Sequence, residues 1–228
     1  MSLRTTALAT VAAGAVAGQA SATLFINEVL GSTSGSDWEF IEIYSDAGPV
    51  DLTGYSIELW DSDNGGSFGG ADGSSPYALS GSTDADGFYL AIGGLALAGY
   101  GSPAFEQALP ANAVENSSYT IILKDDLGAI VDSVFVTDGG AGDVANEAGN
   151  PLVPGATVGP DGTFVPAGFF RTTDGGATFG LLSFGTGDLN DGTAEGGTPG
   201  VTNVIPEPAS LALLGLGGLI AARRRRSA

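Results

Sequence analysis

Between residues 23 and 203 no stretch holds a helical hydrophobic period, and that absence constrains the fold more than any single motif. The apolar residues fall instead into short runs, cut by Gly, Asp, Ser and Pro. With 38 glycines among 228 residues, few runs can go far. Strand-like runs are read at 24–30, 38–44, 55–60, 88–92, 119–124 and 129–136, with two weaker ones at 163–171 and 177–184. In the second run Trp38, Phe40, Glu42 and Tyr44 share one face, and Glu39, Ile41 and Ile43 share the other. Asp125-Asp126-Leu127-Gly128 carries the residues of a hairpin loop. Many short strands with Gly/Pro turns predict an all-β body, a β-sandwich or a barrel. Residues 61–87 and 137–162 read as two long Gly/Asp-rich loops.

Composition removes much chemistry. The chain has no His and no Cys, so it has no imidazole base, no thiolate nucleophile, no disulfide and no His- or Cys-bound metal. There are 26 acids and seven bases, a net charge of −19, and 43% of residues are apolar, enough for a core. Of the seven bases, only Lys124 and Arg171 lie between residues 23 and 205. Residues 23–208 therefore hold all 26 acids against two bases, a net charge of −24. Nucleic-acid binding through phosphates needs clustered Lys and Arg, so it is not expected.

The other bases flank apolar runs at the two ends. Arg4 precedes the uncharged small-residue run 7–18, and Ala20-Ser21-Ala22 places small residues at −3 and −1 of a cleavage site. Residues 1–22 thus read as a helical signal peptide removed by signal peptidase. At the other end, Pro206-Glu207-Pro208 precedes an uncharged run from Ala209 to Ala222, and Arg223, Arg224, Arg225 and Arg226 follow. As a helix the run is about 21 Å long, short of the ~30 Å hydrocarbon core, but snorkelling arginines can close the gap. Pro206 and Pro208 can begin a helix but not sit inside one. The arginines would stay cytoplasmic and the body outside.

This three-part tail, residues 204–228, resembles a PEP-CTERM sorting signal. The resemblance implies recognition of Pro206, Glu207 and Pro208 by an exosortase, a membrane processing enzyme of Gram-negative bacteria. It also implies a destination in the cell envelope, at the cell surface or in the extracellular matrix.

A second resemblance lies in the body. Ile26-Asn27-Glu28, then Phe40-Ile41-Glu42-Ile43-Tyr44, then Val50-Asp51-Leu52-Thr53-Gly54-Tyr55 resemble the opening of a lamin-tail domain. Val131-Asp132-Ser133-Val134, Phe170-Arg171 and Thr198-Pro199-Gly200-Val201-Thr202-Asn203 are similar to its later parts. The resemblance implies one immunoglobulin-like β-sandwich over residues 23–203, in a family not known for catalysis.

Three constellations could carry chemistry. Glu28 and Glu42 lie in adjacent strands and could form a glycosidase-like carboxylate pair; the alternative is that they bond loop N–H groups and fix strand ends. Asp61-Ser62-Asp63-Asn64-Gly65-Gly66 resembles the start of a calcium loop, but Gly65 stands at the third ligand position and Asp72 at the twelfth. Asp188 to Gly192 is a similar oxygen-rich turn. Asp and Gly suit turns without any metal, so no defined site is expected, only weak calcium uptake by the acidic surface. Trp38, Tyr55 and Trp60 could stack on a sugar, or could be core. The sequence therefore predicts an exported, non-enzymatic protein with a structural or interaction role. The alternative is a module binding carbohydrate, such as an extracellular polysaccharide, or protein. A hydrolase working through acidic residues is a third reading, and no cofactor is expected.

Overall fold

The structure is a computed structural model that describes residues 22–31, 38–94, 100, 103–182 and 197–203. The expected signal segment (except Ala22), the tail 204–228 and the turn 188–192 lie outside these residues.

Within them the strands are β1 (Leu24–Leu30), β2 (Phe40–Ser45), β3 (Ser56–Asp61), β4 (Tyr77–Ala78), β5 (Phe88–Ile92), β6 (Gln107–Ala108), β7 (Tyr119–Lys124), β8 (Ile130–Val136), β9 (Asn146–Glu147), β10 (Asn150–Pro151), β11 (Ala156–Val158), β12 (Gly168–Arg171) and β13 (Phe179–Leu182). They make one sheet in the order β13-β12-β1-β2-β5-β6 and a second in the order β11-β8-β7-β3-β4, with β9 and β10 as a separate ribbon. Pairing is antiparallel except for β5 with β6 and β8 with β11.

The two sheets face each other because alternate residues on each are aliphatic. Ile26, Val29, Ile41 and Ile43 of the first sheet share a core with Ile57, Leu59, Ile121, Leu123, Val134 and Val136 of the second; all ten are fully buried. Burying each such side chain contributes about 1.5–3 kcal/mol. The first sheet is also covered on its outer face. Leu30, Phe40, Leu90, Ile92, Ala167 and Leu182 form a second cluster there, with Trp38 and Tyr100 packed against it. Both faces of β2 and β5 are therefore buried, which accounts for their nearly continuous apolar runs.

The hairpin between β7 and β8 forms as its sequence dictates. The Asp125 carboxylate accepts the N–H groups of Leu127 and Ala129, and Gly128 takes φ +80°. The two long segments differ from expectation. Residues 61–87 contain β4, which pairs with β3, and 137–162 contain β9, β10 and β11. These strands have two or three residues each, too few for alternation to show. The second segment is held by Asn146, fully buried, whose amide donates to Asp61 O at 2.9 Å and Ser62 Oγ at 3.0 Å. The two weak runs are shorter than expected at their start: β12 begins at Gly168 and β13 at Phe179. Gly168 lies so close to β1 that a Cβ there would stand 2.1 Å from Val29 O.

Simple alternation fails within β1. The β1–β2 register shifts between Ile26 and Glu28, leaving Asn27 as a bulge residue. The extra residue keeps Ile26 and Val29 in the core and turns Asn27 and Glu28 outward together.

Candidate functional site

Glu28 and Glu42 are register partners on the outer face of the first sheet, and both are fully buried. What covers them is the segment 197–203, which crosses the face as a strap. The Thr198 N–H donates to Glu28 Oε1 at 3.0 Å, and the Gly200 N–H donates to Glu42 Oε2 at 2.6 Å. Asn27 Nδ2 donates to Glu42 Oε1 at 2.7 Å and to Asp174 Oδ1 at 2.9 Å. Asp174, in the β12–β13 turn, also accepts the Asn203 N–H at 3.2 Å. The strap is thus fastened at 198, 200 and 203 by carboxyl groups.

Among the described residues no base compensates the two glutamates. Lys124 pairs with Glu58 and Glu147, and Arg171 pairs with Asp132. Burial pushes the Glu28 carboxyl up to about 8 against the pull of its Thr198 bonds, with Asp174 adding to the rise. Burial also raises Glu42 well above the carboxylate range, and the Glu28 charge raises it further. Two buried acids side by side resist ionising together. The Thr198 hydroxyl lies 2.7 Å from Asn203 Oδ1 and 3.1 Å from Glu28 Oε2, and its one hydrogen can go to only one of them at a time. Glu42 has N–H donors on both oxygens, from Asn27 and Gly200, and these bonds pull against its rise.

The remaining candidates are dispersed. Asp61 accepts the N–H groups of Asp63 and Ser67, and Asp63 accepts that of Gly65, so these carboxylates shape their own turn. Among the described residues no group of three or more Asp or Glu is placed to hold a metal ion. Trp38 packs on the outer cluster of the first sheet and Tyr55 against the inter-sheet core, while Trp60 Nε1 donates to Glu58. The three do not form one stacking surface.

Sequence reasoning missed Asn27, Asp174 and Arg171 as structural anchors. Arg171 is one of only two bases in the body, which was the available signal. It is buried between the Phe25 and Phe179 rings, at 5.1 and 4.6 Å, donates to Ile26 O and Gly176 O, and pairs with Asp132 at 2.8 Å.

Immediately beyond the strap, residues 204–226 match the PEP-CTERM protein-sorting motif. The match includes Pro206, Glu207 and Pro208 and all four terminal arginines. It marks an exported protein recognised by an exosortase. A search of curated proteins finds no match to the chain.

Proposed function

We propose that the chain is an exported, non-enzymatic protein of the Gram-negative cell envelope or extracellular matrix. In this reading signal peptidase removes residues 1–22 after Ala20-Ser21-Ala22, an exosortase acts at Pro206-Glu207-Pro208, and the arginine run holds the tail at the membrane until then. Residues 23–203 are the delivered body, a lamin-tail-like sandwich with a structural or interaction role. The single observation that carries this reading is the sorting motif placed directly behind a folded, fastened body. The order of the lamin-tail-like segments along β1, β2 and the strap supports the body's assignment. The non-enzymatic reading draws on the burial of Glu28 and Glu42, which are fully covered and occupied by the strap.

The test is the mass of the mature chain and its cell fraction, for wild type and for a Pro206→Ala/Pro208→Ala variant. Wild type should lose both ends, and the variant should keep its arginines and change fraction. Two intact tails in one fraction overturn the reading. A second reading, a module binding an extracellular polysaccharide, draws on a cleft beside the strap.

A further inference from the structure

A cleft of about 320 Å³ opens where the strap passes the ends of β2 and β5. It is lined by Tyr44 and Phe88, by Asp86 and Asp174, and by the strap at 200–202. The rings stand 5.2 Å apart at 47°. Tyr44 is held in a slot between two glycines: a Cβ at Gly87 or at Gly175 would lie 3.3 Å from its ring. Both glycines take positive φ, +96° and +66°, so the slot is built into the two turns. Asp174 is fixed by Asn27 and Asn203, while Asp86 is exposed. The body's two bases are engaged elsewhere, so among the described residues no cation balances Asp86 and Asp174.

We propose that this cleft binds a protonated amino-sugar unit of an extracellular polysaccharide, its ammonium group facing Asp86 and Asp174 and its ring lying on the half-buried Tyr44. The volume suits one sugar ring. The carboxylates favour a cation, and the Tyr44 ring favours both a cation and the apolar face of a sugar. A uronic acid is repelled, and an N-acetylated sugar lacks the charge. The inference rests on the polysaccharide-binding reading and is independent of the sorting motif.

The experiment titrates the exported protein by calorimetry with glucosamine oligomers, with their N-acetylated forms and with uronate oligomers. One saturable site is expected for the free amines, with binding at least tenfold weaker for the N-acetylated oligomers and none for uronates. Asp86→Asn should weaken binding about three- to fivefold, and Tyr44→Ala about tenfold. Asp126→Asn, in the β7–β8 hairpin of the other sheet and outside the cleft lining, controls for diffuse attraction and should leave binding unchanged. Equal losses for Asp126→Asn and Asp86→Asn, or equal binding of the N-acetylated forms, overturn the proposal. If a polysaccharide binds and neither cleft variant weakens it, the binding-module reading stands and the cleft falls. If none binds, both fall.

Discussion

Replacing Glu28 with Gln separates the proton on the strap fastening from the fastening itself. The Glu28 carboxyl rises from an ordinary 4.5 to about 8 on burial. Between those values the folded chain holds a proton that the unfolded chain has released. Its contribution is therefore fully present below about pH 4.5 and is lost as pH rises towards 8. A shift of this size amounts to about 5 kcal/mol, of which about 3–4 kcal/mol is lost between pH 5 and 8. That is a large share of the 5–15 kcal/mol typical of whole domains. Glutamine copies the protonated acid: its oxygen can accept the Thr198 N–H and its nitrogen can donate to Thr198 Oγ1. Urea unfolding followed by tryptophan fluorescence, from pH 5 to 8.5, gives the stability of each form. The two should be nearly equal at pH 5, and the variant should pull ahead by about 3–4 kcal/mol by pH 8.5. Comparing the two forms cancels the general repulsion of an acidic body, which acts on both. Curves that stay parallel across the range would show that Glu28 is ionised throughout and would refute the reasoning.

Three further outcomes follow from the packing. Arg171→Met removes the partner of a largely buried Asp132 and the donor to Ile26 O, and should cost about 3–5 kcal/mol in urea unfolding; a loss under 1 kcal/mol would show that Asp132 finds water instead. Gly168→Ala forces a Cβ against Val29 O and should lower the melting temperature by at least about 5 °C; an unchanged melt would mean that β12 can move away from β1 freely. Adding chelator should leave the melting temperature unchanged, since Asp61 and Asp63 already bond their own backbone; a calcium-dependent rise of several degrees would place an ion in that turn.

The long strands were legible because each buries one or both faces. The runs 24–30, 88–92 and 119–124 coincide with β1, β5 and β7. The five strands of two or three residues were not, because runs so short show no alternation and their placement depends on contacts far along the chain: Asn146, in the second long segment, reaches the end of β3. The two glutamates could be singled out, and the alternative that they bond loop N–H groups matches their contacts with Thr198 and Gly200. What could not be read was the bulge at Asn27. Strict alternation would send Asn27 and Glu28 to opposite faces, and only the inserted residue puts both beside Glu42. Arg171 was visible as a rare base, but its place between two rings depends on the β12–β13 pairing.

The fastening at Asn203 also sets a leash. Pro206 follows three residues later, and three residues of fully stretched chain span at most about 11 Å. A sandwich of this size has a radius of gyration of about 16 Å. The tether between body and sorting tripeptide is thus shorter than the body is wide. On the proposed reading, an enzyme working at Pro206-Glu207-Pro208 meets the folded sandwich at contact range, near where the strap passes Tyr44. Cargo bulk and tail processing would then be coupled by plain geometry, and lengthening the leash after Asn203 would separate them while leaving the strap in place.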